Sequence, residues 1–185
     1  MKKYRCLMSL CIALCASYIQ RTISLELFVS ILVAVLVHEA GHIVAIYTNG
    51  MKVSSIKVEL SGLKISYNGD GLGTSDLVSV LAGPIAGIIY FFVADKCLNF
   101  PYLSAELSLL YSIFNLLPVF PLDGGRAMLI ISEKVFGEDG QSYVRQLSKV
   151  FCAIFLLLGL LCFLMGEGGA LFASGVWLLI MQNEK

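Results

Sequence analysis

Charge is what this sequence has least of. Only 14% of its 185 residues are Asp, Glu, Lys or Arg, and the 13 basic and 13 acidic groups cancel; an average soluble domain carries about 25%. With no basic excess, the chain is not built to hold nucleic acid. With little charge and much apolar surface, it is not an intrinsically disordered segment. The six cysteines, Cys6, Cys11, Cys15, Cys97, Cys152 and Cys162, include no Cys-x-x-Cys pair and lie in or at the ends of apolar stretches. They do not make a secreted disulfide scaffold, and read as small apolar fillers. A competing reading for Cys6 alone is palmitoylation near a membrane surface.

Apolar residues take the place of charge. They make up 58% of the chain, and the mean hydropathy is +0.85. A soluble globule of 20.1 kDa lacks the interior volume to hide that much apolar surface. The composition therefore predicts an all-α polytopic membrane protein, a single membrane-embedded domain spanning 1–185. Six apolar stretches run roughly over 6–19, 25–47, 77–98, 102–120, 147–166 and 169–181. A helix needs about 20 residues to cross the hydrocarbon core; the second to fifth stretches meet that length and the first and last are short. Gly166-Glu167-Gly168-Gly169 predicts a tight turn between the last two. Lys2, Lys3 and Arg5 ahead of the first stretch also resemble a signal peptide, but a small-x-small cleavage site before a polar mature start is missing, so a retained first helix is expected.

Six spans with a cytoplasmic N-terminus place Lys2, Lys3, Arg5, Lys52, Lys57, Lys64, Arg126, Lys134, Arg145, Lys149 and Lys185 inside, and only Arg21 and Lys96 outside. That asymmetry follows the positive-inside rule. It predicts both termini on the cytoplasmic side of a cell membrane. The stretch 48–76 differs from its neighbours: Ile56, Val58 and Leu60 alternate with Lys57 and Glu59, and alternation resumes over Leu63–Tyr67. A small membrane-associated β-hairpin after the second span is expected there, followed by a glycine-rich loop into the third.

The chain has two histidines, and they stand in the string His38-Glu39-Ala40-Gly41-His42. Two histidines placed at random fall four apart about once in a hundred, and that separation stacks both imidazoles on one helical face. Both can reach one metal ion, and Glu39 beside them can serve as general base toward a water on that metal. Ionisable groups inside a membrane helix need partners, and a zinc ion would supply one. A catalytic zinc takes three protein ligands; no third histidine and no obvious thiolate offers itself, so the third ligand is expected to be a carboxylate at similar depth. Asp123 fits. It ends the run Asn115-Leu116-Leu117-Pro118-Val119-Phe120-Pro121-Leu122-Asp123, where the prolines interrupt a helix and free backbone that lipid would not tolerate away from a cavity. The competing reading makes Asp123 an N-cap for a helix over about 124–136. The predicted topology puts His38, His42 and Asp123 on the same, cytoplasmic, side.

These two strings together resemble the site-2 protease family of zinc intramembrane metalloproteases, closest to the branch with the stage IV sporulation FB protein. The resemblance covers roughly 25–130. It implies that His38, His42 and Asp123 bind one zinc, that Glu39 is the catalytic acid/base, and that Asn115 and Pro118 shape the substrate groove. It implies a membrane-protein substrate cut within or next to a transmembrane segment, a possible regulatory membrane partner and a bacterial membrane. Leu81-Ala82-Gly83-Pro84 is similar to a small-residue stretch of the family, and its plain reading is close helix packing. No part of the chain is expected to form the peptide-binding or nucleotide-sensing domains of other members. Two rival readings are a zinc or proton transporter, which would have paired discontinuous helices, and a catalytically inactive client-binding protein, which would not need Glu39.

Overall fold

A computed structural model describes residues 24–59, 62–67, 73–97, 102–137, 139–166 and 169–183. The first apolar stretch, with Cys6, Cys11 and Cys15, lies outside the described residues. The elements are α1 (Leu25–Thr48), β1 (Val53–Glu59), β2 (Gly62–Tyr67), α2 (Thr74–Cys97), α3 (Tyr102–Asn115), α4 (Asp123–Phe136), α5 (Asp139–Leu164) and α6 (Gly169–Asn183).

Local chemistry sets the helix ends. Ser24 caps α1 by accepting a 3.2 Å hydrogen bond from the Leu27 amide, which satisfies one of the orphan donors of the first turn. Beyond its other end, Gly50 takes a φ of 73°, a backbone state that suits glycine, and the amide of Met51 returns to the Ile46 carbonyl at 3.0 Å. At the head of α2, the Asp76 carboxylate accepts from the Gly73 amide at 2.9 Å.

Among the described residues, three helices are long and apolar enough to cross a membrane: Leu25–Thr48, Thr74–Ala94 and Asp139–Leu164. At 24 residues, α1 extends about 36 Å, more than the roughly 30 Å hydrocarbon core. The expected span at 102–120 is different: α3 stops at Asn115 after 14 residues. Pro118 is the cause, because the residue before a proline is pushed out of helical backbone. The last stretch is also short, since α6 has 15 residues. In contrast, α5 begins at Asp139, eight positions before its apolar run, because polar Gln146, Arg145 and their neighbours continue the helix beyond the part that faces apolar surroundings.

β1 and β2 pair antiparallel in a two-stranded sheet, with Ile56 opposite Ile65, Val58 opposite Leu63 and Glu59 opposite Gly62. Helix α1 packs on α2 and α3, α4 packs on α2 and α5, and α5 packs on α6. Many buried positions are small or polar, and many large apolar side chains lie on the outside. Ser104, Ser108 and Ser112 are buried at four-residue spacing along α3, while Phe28, Ile85, Ile89, Phe92, Leu157 and Leu164 are exposed. This inversion suits a bilayer, where small residues let helices approach and lipid covers the apolar faces. Two apolar clusters form: one packs Val80 of α2 with Ala127 and Ile130 of α4, and the other anchors the broken segment, with Val119 and Leu122 packed against Cys152 of α5 and Leu178 of α6.

Candidate metal centre

The two histidines come from one face of α1. Between them, Gly41 faces α2 so closely that a Cβ would lie 2.5 Å from the Ala82 carbonyl oxygen, so the α1–α2 contact brings the imidazoles against α2. There Gly83 leaves the space that the His42 ring fills; a Cβ on Gly83 would overlap three of its atoms. The stretch expected to be plain helix packing therefore has two duties. Ala82 takes the close helix contact, and Gly83 seats a site residue.

Asp123 arrives from the other direction. After α3 ends, Leu116–Leu122 run as tight turns, with the Val119 amide on the Leu117 carbonyl at 2.7 Å and the Leu122 amide on the Val119 carbonyl at 2.9 Å. The Phe120–Pro121 peptide is cis. Leu122, with no side-chain hydrogen bond, is the N-cap of α4. Asp123 is thus the first helical residue and not the cap; its negative charge suits the positive end of the helix dipole. The expected helix over 124–136 is present, one residue longer at its start.

His38, His42 and Asp123 converge. Asp123 Oδ2 is 3.0 Å from His38 Nε2 and 3.2 Å from His42 Nε2, and the two Nε2 atoms are 3.2 Å apart. All three ligand atoms lie within 4.8 Å of one another. The tautomer of His42 follows from its other nitrogen. His42 Nδ1 is 2.7 Å from the Ser79 carbonyl oxygen, which only accepts, so Nδ1 carries the hydrogen. For the neutral ring, Nε2 then presents a lone pair toward a carboxylate oxygen. Lone pairs from imidazole and carboxylate aimed at one point repel unless a cation lies between them. The residues therefore fit a divalent metal, and two nitrogens with one carboxylate oxygen are a zinc donor set that leaves a fourth position for reaction.

The rest of the site surrounds this trio. Glu39 is 8% exposed and follows His38 directly on α1. Arg126, one turn along α4, has Nη1 3.9 Å from Asp123 Oδ1, so the carboxylate turns one oxygen to the histidines and the other toward a guanidinium. The Tyr111 ring meets the His38 ring edge-on, with centroids 4.8 Å apart. Asn115 is buried, and its amide donates to the Tyr111 carbonyl at 2.9 Å; it is turned back on its own helix. The Pro118 carbonyl accepts a hydrogen bond from Ser148 of α5 at 3.2 Å. Ser79, Tyr111, Arg126 and Ser148 were not singled out by sequence reasoning.

Comparison with known proteins agrees with this chemistry. The sequence model of Peptidase family M50 matches residues 71–159, which include Gly83 and Asp123. Over 145 residues the chain is 32% identical to the zinc metalloprotease MJ0392 of Methanocaldococcus jannaschii, covering 73% of this chain and 43% of that protein. Over 169 residues it is 27% identical to Rip3 of Mycobacterium tuberculosis, which also carries a zinc metalloprotease name, covering 81% of this chain and 41% of that one. The chain thus spans about two fifths of the length of these relatives. Among solved structures, the site-2 protease from Methanocaldococcus jannaschii shares the fold, with a TM-score of 0.72 at 24% identity over 94% of this chain and 84% of that one.

Proposed function

From the support that these matches give to membership of peptidase family M50, the site-2 proteases, we propose that the chain is an intramembrane zinc metalloendopeptidase that cuts a membrane-protein substrate within or next to a transmembrane segment. The observation that carries the reading is the convergence of His38 Nε2, His42 Nε2 and Asp123 Oδ2 on one point.

His38 and His42 from α1 and Asp123 from α4 would hold the ion. Zinc bound there supplies Lewis acidity toward a water and a peptide carbonyl. Glu39 is the general base: it takes a proton from the attacking water and returns it to the departing amine nitrogen as the C–N bond breaks. Ser79 keeps His42 in the tautomer that leaves Nε2 free to ligate, and Arg126 steadies the outward oxygen of Asp123. Partners of this kind orient ligands and tune their basicity.

A transmembrane helix hides its carbonyls in hydrogen bonds, so a substrate must unwind to be cut. The β1–β2 hairpin, lying against the membrane, pairs with the extended segment, and Asn115 and Pro118 border the groove that receives it. The chain crosses a bacterial membrane about six times, with both termini and the centre toward the cytoplasm, as the distribution of basic residues supports. Within the family, the His38–His42 and Asn115–Asp123 strings favour the branch with the stage IV sporulation FB protein, and a membrane partner regulates access. In this reading residues 1–185 act as one catalytic domain.

The test is Glu39→Gln in the intact chain. It is expected to retain about one zinc, the stoichiometry of a single three-ligand site, and to lose proteolysis of a co-expressed membrane substrate. Normal cleavage by that variant removes Glu39 from the base role.

A further inference from the structure

The segment between α3 and α4 carries backbone groups that no helix satisfies, yet its far end must deliver Asp123 to histidines on α1. Irregular backbone at membrane depth persists only where protein or water meets its hydrogen bonds. One side chain from a third element meets two of them. Ser148, 1% exposed on α5, donates from its hydroxyl to the Pro118 carbonyl at 3.2 Å and accepts from the Phe120 amide at 3.3 Å. It thus clasps the segment on both sides of Val119.

Residue 119 is also where α4 leans. A Cβ on Gly125 would lie 2.6 Å from the Val119 carbonyl carbon, and the Leu122 amide bonds the Val119 carbonyl at 2.9 Å. Gly124 presses in the same way on the Leu116 carbonyl. The first turn of α4, which begins with Asp123, rests on the backbone that Ser148 holds.

We infer that Ser148 is a positioning residue of the metal centre: by holding Pro118 and Phe120 it fixes where Asp123 Oδ2 meets His38 and His42. The inference rests on the zinc reading above. It differs from ordinary α4–α5 docking, for which Ser132 provides a matched control: its hydroxyl donates to the Gly140 carbonyl at 2.9 Å across the same two helices, far from the broken segment.

The experiment measures zinc affinity of the detergent-solubilised full chain by chelator competition, for wild type, Ser148→Ala and Ser132→Ala, well below each protein's melting temperature. Ser148→Ala is expected to bind zinc about tenfold more weakly, the lower range for loss of an outer partner of a ligand, and Ser132→Ala to match wild type. Affinity unchanged in Ser148→Ala, or weakened equally in Ser132→Ala, overturns the inference. If Ser148→Ala is not recovered folded, Ser148→Cys is measured against the same two criteria, because a thiol is a poor donor and acceptor. Wild-type protein that binds no zinc overturns the metal reading itself, a separate result.

Discussion

A methyl group on Gly83 would fall on the His42 ring, which is held on its other side by the 2.7 Å bond from Nδ1 to the Ser79 carbonyl. The ring cannot keep both its seat and its hydrogen bond if that space is filled. Gly83→Ala is therefore expected to weaken zinc binding by roughly 10- to 100-fold, read by chelator competition, with the helical content of the protein retained. Equal affinity in the variant would show that the ring is not confined. The position also shows what a sequence discloses about such a site. His38, Glu39 and His42 are legible because histidine is so scarce here and because a four-residue spacing has one geometric meaning on a helix. Asp123 is legible because Pro118 and Pro121 break a helix just before it. Gly83, Ser79 and Ser148 carry no such mark. Gly83 acts by having no side chain, Ser79 acts through a main-chain carbonyl, and Ser148 is one of several buried serines. Each gains its role only once α2 and α5 are set against their neighbours.

Among the elements, the β1–β2 sheet has the most to show by experiment. Among the described residues the sheet has two strands, each paired with the other along one edge, and the edge of a sheet can act as a template for an added strand. If the hairpin receives unwound substrate, proline at position 56 or 58 removes a donor from β1 and distorts its path. Ile56→Pro and Val58→Pro are expected to slow cleavage on the order of tenfold or more, as misplacement of a substrate does, while zinc content stays at the wild-type level. Undiminished cleavage by both variants takes the hairpin out of substrate handling. Strand alternation over 53–67 made these elements readable in advance, as apolar runs did for α1 and α2. Two boundaries were harder to see. Helix α3 ends at Asn115 because Pro118 acts backwards along the chain, and α5 begins at Asp139 because a helix can continue through polar residues that an apolar run does not register.

For the whole molecule, a metal held by His38, His42 and Asp123, as proposed, would be a crosslink. The histidines belong to α1 and the aspartate to α4, and these reach each other through α2, which packs on both. A ligand that binds only the assembled state stabilises it by about 2.7 kcal/mol when present at a hundred times its dissociation constant. For a chain of this length each kcal/mol moves the melting temperature by about 2–4 °C, so stripping zinc with a chelator should lower it by roughly 5–10 °C. The variants then separate structure from chemistry. Asp123→Asn removes the link from α4 and should melt at one temperature with or without zinc. Glu39→Gln keeps all three ligands and should retain the full zinc-dependent shift despite its lost proteolysis. A melting temperature indifferent to zinc in the wild-type protein would mean that α1 and α4 are not joined through an ion, and that the convergence of His38, His42 and Asp123 serves packing alone.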